Sequence, residues 1–530
     1  MKCASMLSRE LLVRSDFTEV RRLYRAGDFA ACHAALDQLI DEPQAALERA
    51  KLLLRERRYA DCVAHLSRAQ APFTPAQQAE RCILLGAGHC HAANFHAAQL
   101  AFAEAEALVD VAGDPELKFL LANQRGVAAW MLHDYDRALE EAATLESSAD
   151  DNHRGLGYSL RSWVEIGRGD AVGQAKWLLR ALDQFEKAAQ RDEVFVARTL
   201  FTLGALCREI VFPKATKRLR ASAVRVRWTD GLALERFQIA RLLGWIEALS
   251  GNELASFRYL KESARLAPST AWKILALLDR ASLAKSRGEE AFALDQLHDA
   301  HALAAEVRWE TTHGEERSPL LILAELFAGV DPSQSSAYLE KFRSLLVLES
   351  GLAYASDRRI AAFMGYSAGI AHQKLGNPTA ALEALTDSWS AFESFSYGWR
   401  SALAAAAIYE LTASGTWLSR ARDRATSWPH SWIARKIDQL NDEKPATVKL
   451  TPNQRRVYEA LLEGRSTEAI AKKLGRSPNT VRNHISAIFL AFHVNSRARL
   501  LSKSFGLSTL QSVKETSLRE AAADRVGCGL

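Results

Sequence analysis

The stretch that decides the fold lies near the carboxyl end. It reads LTPNQRRV at residues 450–457, LLEGRSTEAIAKKL at 461–474 and GRSPNTVRNHI at 475–485. Each piece combines helix-capping residues with apolar residues at helical spacing, so the stretch predicts three short helices separated by tight turns. Two helices joined by a tight turn, the second polar and basic on one face, are typical of proteins that contact the DNA major groove.

Capping and terminating residues predict where each helix begins and ends. They are Thr451, Pro452, Gln454 and Gly464 for the first helix, Ser466 and Gly475 for the second, and Ser477 and Pro478 for the third. A fourth short helix is expected from about residue 495 or 496 to Gly506. Apolar residues three or four positions apart predict the buried side of this bundle. They are Val457, Leu461, Leu462, Ile470, Ala471, Leu474, Val481, Ile485, Ile488 and Phe492.

Four polar residues share the opposite face of the third predicted helix, namely Asn479, Arg482, Asn483 and Ser486. Arginine can bind guanine, and asparagine adenine, through two hydrogen bonds, so these four are predicted to read bases. Neighbouring basic and hydroxyl side chains are better placed to contact phosphates. These predicted phosphate contacts are Arg465, Lys472, Lys473, Arg476, Thr480 and Arg497.

Charge supports this prediction. Residues 450–503 contain ten Lys or Arg and three Asp or Glu, a balance of +7, whereas the whole chain carries +5. The rest of the chain therefore sums to about −2, and the positive field is concentrated in this segment. Such a local concentration of positive charge is typical of a surface that binds phosphates.

The segment from about residue 450 to 503 resembles a LuxR-type helix-turn-helix domain. The family pattern opens with Leu-Thr-Pro and continues with Gly-x-Ser, Ile-Ala-x-x-Leu, Ser-x-x-Thr-Val-Lys/Arg-x-His and Val-x-x-Arg. This chain matches it at Leu450, Thr451, Pro452, Gly464, Ser466, Ile470, Ala471, Leu474, Ser477, Thr480, Val481, Arg482, His484, Val494 and Arg497. It departs from the pattern at 453–454, where Asn-Gln replaces Arg-Glu, and at 467–469, where Thr-Glu-Ala replaces Asn-Lys-Glu.

The resemblance implies a bacterial transcription regulator that binds double-stranded DNA as a homodimer through residues near 496–505. An activator of this kind would also contact RNA polymerase. The alternative is an interaction scaffold whose helix-turn-helix unit binds protein and does not bind DNA, so that any residual association with a duplex would be weak and without salt dependence.

Residues 1–440 repeat one pattern, in which a polar turn residue and an aromatic residue precede two spacers and a small residue. It occurs as Asp28-Phe29-x-x-Cys32, Arg58-Tyr59-x-x-Cys62, Asn94-Phe95-x-x-Ala98 and Asp134-Tyr135-x-x-Ala138, and turns recur near Gly169, Pro213, Gly251, Gly288, Pro332, Gly376 and Gly415. A period of 30–45 residues predicts about eleven stacked helix pairs, which resemble tetratricopeptide-type repeats. The alternating segment 223–228 is expected to be loop or frayed helix rather than strand.

The sequence therefore predicts an all-α chain, a long tetratricopeptide-like α-solenoid followed by a small four-helix helix-turn-helix domain. The expected domains are a repeat region at 1–440, a linker at 441–449, the DNA-binding domain at 450–505 and a tail at 506–530. A concave solenoid surface is expected to bind a protein, peptide or small-molecule effector.

Other classes of protein are disfavoured. The chain has no Gly-x-x-x-x-Gly-Lys-Ser/Thr loop and no recognisable catalytic constellation, so neither an enzyme nor a cofactor is expected. No metal site is expected either, because adjacent members of the Cys/His cluster point in different directions on a helix. That cluster comprises Cys82, His89, Cys90, His91 and His96. No apolar run approaches membrane-spanning length, and Arg9 and Glu10 interrupt any signal peptide, so a cytoplasmic protein without membrane contact is expected.

Overall fold

The computed structural model describes residues 17–39, 42–69, 72–312, 314–348, 358–442, 450–462, 465–491, 497 and 500. These residues form helices, 3-10 turns and connecting loops, and they contain no strand. The chain divides into two compact units. Unit 1 comprises Met1–Leu323, Glu340–Ala361 and Ala391–Gly398, and unit 2 comprises Ala324–Leu339, Ala362–Ser390 and Trp399–Leu530.

The helices of the described residues follow one another in chain order, and twenty-two of them precede α23. They are α1 (residues 17–26), α2 (Phe29–Leu36), α3 (Pro43–Arg55), α4 (Tyr59–Arg68), α5 (Pro75–His91), α6 (Phe95–Ala112), α7 (Pro115–Met131), α8 (Tyr135–Glu146), α9 (Asp151–Arg168), α10 (Ala171–Lys187), α11 (Glu193–Glu209), α12 (Pro213–Ala223), α13 (Ala233–Leu249), α14 (Glu253–Leu266), α15 (Thr270–Ser286), α16 (Glu290–Glu306), α17 (Ser318–Phe327), α18 (Pro332–Leu348), α19 (Arg358–Lys374), α20 (Pro378–Ser394), α21 (Gly398–Thr412), α22 (Gly415–Ala425), α23 (Trp432–Asp442), α24 (Pro452–Leu462), α25 (Thr467–Leu474) and α26 (Pro478–Ala491). Single 3-10 turns lie at Asp230–Leu232, Trp309–Thr311 and Gly314–Arg317.

One turn geometry recurs between the two helices of a pair in unit 1. After α1, Gly27 adopts a left-handed φ of 72° and the amide of Asp28 donates to the carbonyl of Leu23 at 3.0 Å. The Asp28 carboxylate then accepts from the amide of Ala31 at 3.2 Å and caps α2. Asn94, Asp134, Asp170 and Asn252 repeat this arrangement. Three of the four polar turn residues of the sequence pattern thus cap a pair's second helix through their side chains, namely Asp28, Asn94 and Asp134. The fourth, Arg58, makes no such hydrogen bond.

The small residues of the pattern allow close helix packing, as predicted, and all four are buried: Cys32, Cys62, Ala98 and Ala138. Glycine serves the same purpose elsewhere. A Cβ atom on Gly86 of α5 would lie only 2.4 Å from the Phe102 ring of α6. The pairs also stack, because α3 contacts α5, α5 contacts α7, and α7 contacts α9. Unit 1 therefore contains the predicted array of stacked helical hairpins. The chain after α12 forms a turn and loop at 224–228, which confirms the expectation for that segment.

A buried ion pair joins distant parts of unit 1. The two terminal nitrogens of Arg55, at the end of α3, donate to the two carboxylate oxygens of Asp192 at 2.9 and 2.6 Å. The rings of Tyr24 and Phe195 lie 4.1 and 4.5 Å from the guanidinium carbon. Because Asp192 also caps α11 through two backbone amides, one carboxylate ties the start of the array to its middle.

Unit 2 uses the same kind of packing where α19 meets α20. A Cβ atom on Gly369 would lie 2.6 Å from Leu385, which is fully buried. Trp389 of α20 meets Trp417 of α22 edge to face at 5.0 Å, and Arg420 lies over both rings. Among the described residues of either unit, no helix has the length and apolar character needed to cross a membrane.

Candidate nucleic-acid interface

The first helix of the carboxyl-terminal bundle, α24, begins at a capping box. The amide of Thr451 donates to the side chain of Gln454 at 2.8 Å, and the amide of Gln454 donates to the Thr451 hydroxyl at 3.3 Å. Pro452 occupies the first helical position, as the sequence predicts. The predicted stop at Gly464 lies outside the described residues.

The turn between α25 and α26 is also the one predicted. Ser466 caps α25 by accepting from the amide of Ala469 at 3.2 Å. Gly475 ends that helix with a left-handed φ of 62°. Ser477 then accepts from the amide of Thr480 at 3.1 Å, and Pro478 begins α26. Because Ser477, which caps α26, follows only two positions after Gly475, which ends α25, the two helices are joined by a tight turn.

Apolar side chains from all three helices form one core, and nearly all the predicted core residues that can be described belong to it. The buried members are Val457, Ala460, Leu461, Ile470, Ala471, Val481, Ile488 and Leu500, with Leu450, Tyr458, Leu474, Ile485 and Phe489 packed against them. Phe492 and the bounds of the predicted fourth helix lie outside the described residues. Within that segment Leu500 is helical and fully buried, a core position that the sequence analysis did not include.

All four predicted base-reading residues are exposed on α26: Asn479, Arg482, Asn483 and Ser486. They lie opposite Val481 and Ile488, which are fully buried. The Arg482 side chain is 61 % exposed, and its Nη1 donates to Oδ1 of Asn479 at 2.8 Å. Its Nη2 lies 4.0 Å from a carboxylate oxygen of Glu468 on α25. The face that could contact bases is therefore polar, exposed and continuous over two turns.

The predicted phosphate contacts fall into two groups. Four cations are exposed around the turn and the ends of α25, namely Arg465, Lys472, Lys473 and Arg476. Thr480 is half-buried and its hydroxyl pairs with that of Ser477 at 2.8 Å. Arg497 is half-buried and donates to the carbonyl of Leu461 at 3.0 Å. Arg497 therefore binds the end of α24, a structural role that the sequence analysis did not assign to it.

Three members of the Cys/His cluster of the repeat region, Cys82, Cys90 and His91, contribute to packing in unit 1. Cys82 and Cys90 belong to an apolar core, and burial raises the pKa of each thiol to about 12. The ring of His91 stacks on Tyr59 with centroids 4.5 Å apart. Burial, together with Arg198 and Arg57, lowers the pKa of His91 to about 4. In the described part of the chain, no three His, Cys, Asp or Glu residues are grouped so that they could hold a metal ion.

Comparison with known proteins agrees with this geometry. Residues 448–503 match the family described as bacterial regulatory proteins, luxR family. This segment is a LuxR-family helix-turn-helix domain. The chain is also similar to proteins named HTH-type transcriptional regulators from Mycobacterium bovis and Mycobacterium tuberculosis. Identity to each is 26 % over 257 residues, which cover 48 % of this chain and 25 % of the relative. The match thus spans only about a quarter of the length of these curated relatives.

Two solved structures are similar over most of this chain. The APC/C hetero-tetramer Cut9–Hcn1 is 14 % identical with a TM-score of 0.29, covering 83 % of this chain and 92 % of that one. Yeast Tom70 is 12 % identical with a TM-score of 0.28, covering 77 % and 98 %. Scores this low carry no argument about the arrangement of the helices, which follows from the contacts described for each unit.

Proposed function

We propose that this protein is a sequence-specific transcription regulator that binds double-stranded DNA through the exposed face of α26. The observation that carries the proposal is the two-sided character of this helix. One side anchors the domain through Val481 and Ile488, and the other presents Asn479, Arg482 and Asn483 to solvent. The amide and guanidinium groups on this face of the helix can form hydrogen bonds with the donors and acceptors of base edges in a major groove.

The exposed cations around α25 support the same proposal. Lys472 and Lys473 occupy its last turn, and Arg476 follows Gly475 in the tight turn. Phosphate contacts of this kind supply affinity and position the reading helix without selecting sequence. We therefore assign Arg465, Lys472, Lys473, Arg476 and Thr480 to the DNA backbone, and we propose that Arg497 acts mainly by holding α24.

The proposal extends to the whole chain. Residues 1–440 would form the region that senses a protein, peptide or small-molecule effector, with 450–505 as the DNA-binding domain and 506–530 as a tail. Because α23 continues to Asp442, the linker would begin at 443 rather than at 441. Dimerisation through residues near 496–505 would have to use side chains other than Leu500, which is fully buried in the domain core. Activation of transcription through RNA polymerase and a location in the cytoplasm complete the proposal.

The decisive experiment maps the genomic sites bound by the full chain and then measures affinity for one such site and for a scrambled duplex at several salt concentrations. A regulator should prefer its site by at least about a thousandfold, and affinity for both duplexes should fall steeply with salt. Weak binding to both duplexes without salt dependence would instead indicate a scaffold that does not use DNA.

Effector sensing needs a separate measurement. If the repeat region controls the DNA-binding domain, residues 441–530 alone and the full chain should differ in affinity for the mapped site. An effector would then shift the affinity of the full chain but not that of the fragment. Equal affinity of both proteins, unchanged by extracts of the host cell, would remove control by the repeats while leaving DNA binding intact.

A further inference from the structure

A second concentration of positive charge lies on α12 of unit 1, far from the helix-turn-helix domain in sequence. Residues 213–227 contain six cations and no Asp or Glu. The cations are Lys214, Lys217, Arg218, Arg220, Arg225 and Arg227. The net charge of the chain outside 450–503 is about −2, because acidic residues elsewhere offset the six cations of this segment. The net charge therefore does not reveal this local concentration of positive charge.

Part of this charge is neutralised by neighbouring helices. Arg218 contacts Asp183 at 2.7 Å and Glu186 at 2.8 Å, and Arg220 contacts Glu247 at 2.6 Å. Arg225 lies 3.6 Å from Glu186. Three of the arginines therefore have acidic partners and help to fix α12 in the array.

The two lysines are different. Lys214 and Lys217 are exposed, and no carboxylate of the described residues lies within 4.0 Å of either ammonium nitrogen. They are three positions apart on a face opposite Ala215 and Leu219, which are fully buried. Arg227, just beyond the helix, is also exposed. The outward face of α12 thus carries positive charge that no acidic group of the described residues neutralises.

Lys214 occupies an unfavourable position for the helix that carries it. It lies in the first turn of α12, which contains no acidic residue. Cations near a helix N-terminus are repelled by the helix dipole, an effect that falls off beyond the first turn. Interaction with the helix dipole therefore does not explain Lys214, whereas an external anionic partner would use its charge.

We propose that the outer face of α12 is a second contact surface for the phosphate backbone of double-stranded DNA. The inference rests on the proposed function, because it adds a phosphate contact from the repeat region to the DNA that the helix-turn-helix domain is proposed to bind. Among possible anionic partners, DNA fits better than an acidic protein surface. The exposed side chains of α12 include no aromatic anchor, and protein interfaces are depleted in Lys at their centre.

The test is a charge reversal in the full chain, Lys214→Glu with Lys217→Glu. Its matched control is Lys261→Glu with Lys273→Glu, which changes two exposed lysines of α14 and α15 and gives the same net charge. Affinity for a long duplex is measured against salt for both variants and the unchanged protein. Glutamate near the start of α12 suits the helix dipole, so unfolding is not the expected result, and thermal melting of both variants verifies this.

Each lost phosphate contact should lower the slope of log affinity against log salt by about 0.9, so the α12 variant should lose about 2 in slope and on the order of tenfold or more in affinity. The control should keep the slope of the unchanged protein. An unaltered slope in the α12 variant, or an equal change in both variants, would overturn the proposal. Lys472→Ala distinguishes failure of the α12 contact from failure of the proposed function. If Lys472→Ala weakens binding while the α12 variant does not, DNA binding stands and only the proposed α12 contact is wrong. If the unchanged protein does not bind DNA, the proposed function fails.

Discussion

Arg482 donates from Nη1 to Oδ1 of Asn479 at 2.8 Å, across one turn of the exposed face of α26. Two of the four candidate base-reading side chains therefore contact each other before any DNA is bound. The guanidinium loses some of its rotamer freedom in this contact, which lowers the entropy cost of placing it against a base. The contact also predicts that substitutions at the two positions are coupled.

The substitution Arg482→Ala should weaken binding to the mapped site by about 1–3 kcal/mol and relax the preference at one base pair. The reason is the loss of a two-hydrogen-bond contact to a base edge. Competition among duplexes that differ at single base pairs measures both effects. Specific binding that is untouched by Arg482→Ala would mean that another face of the domain reads the sequence.

Coupling can be measured with Asn479→Ala and the double variant. The double-mutant cycle should give an interaction energy of about 0.5 kcal/mol or more, because the two side chains share a hydrogen bond. Asn483→Ala with Arg482→Ala is the matched comparison, since no hydrogen bond between those two side chains is present. Strict additivity in the Asn479 cycle would show that the contact has no energetic role on DNA.

Lys472→Ala should behave differently from Arg482→Ala. Lys472 is exposed in the last turn of α25, where it is proposed to contact phosphate. Its removal should weaken site and scrambled duplex alike and lower the salt slope by about 1. Salt titrations followed by fluorescence anisotropy measure both quantities. A selective loss of affinity for the site would instead place Lys472 among the base-reading residues.

Asp192→Ala should destabilise unit 1 by about 3–5 kcal/mol, because it leaves the buried guanidinium of Arg55 without a counter-charge. Denaturant unfolding of the full chain measures the loss. The control is Asp37→Ala, which removes the exposed partner of Arg49 and should cost less than about 1 kcal/mol. Similar losses in the two variants would show that the Arg55 pair is no more important than a surface pair.

Stability should also depend on His91. Burial, followed by Arg198 and Arg57, lowers its pKa to about 4 in the folded protein, from an ordinary value of 6.5. Between these two values the unfolded chain binds a proton that the folded chain does not, so the free energy of unfolding falls as the pH falls. The contribution is complete above about pH 6.5 and is lost as the pH decreases towards about 4.

His91→Gln should therefore flatten the loss of stability between pH 6.5 and 4, as measured by chemical unfolding at a series of pH values. His96→Gln, at an exposed position near the start of α6, should follow the unchanged protein across the same range. If all three proteins lose stability equally as the pH falls, His91 is not a source of the acid sensitivity.

Local interactions explain why so much of the carboxyl-terminal domain could be predicted. The capping box at Thr451, the cap at Ser466 and the left-handed Gly475 each involve residues within about one helical turn of one another. The repeat turns are equally local, since a left-handed residue and the cap that follows it determine where one helix ends and the next begins. The exposed positions of Asn479, Arg482, Asn483 and Ser486 then follow from helical periodicity.

Contacts between distant residues could not be predicted in this way. Arg497 is predicted to contact phosphate, and the sequence did not indicate that it also donates to the carbonyl of Leu461, 36 positions earlier. Leu500 completes a core whose other members lie on α24, α25 and α26. The net charge of the chain does not reveal the positive charge on α12. The positions of neighbouring carboxylates in the structure show which of its cations are neutralised and which are not.

The sequence by itself determined the helices, their caps and turns, and the polar face of α26, because each depends on side chains a few residues apart along one backbone. Only the tertiary structure decided that Arg55 is buried against Asp192, that Arg497 holds the end of α24, and that Lys214 and Lys217 remain without an acidic partner among the described residues. Those relationships depend on which helix surfaces meet after folding, and periodicity along the chain does not specify that.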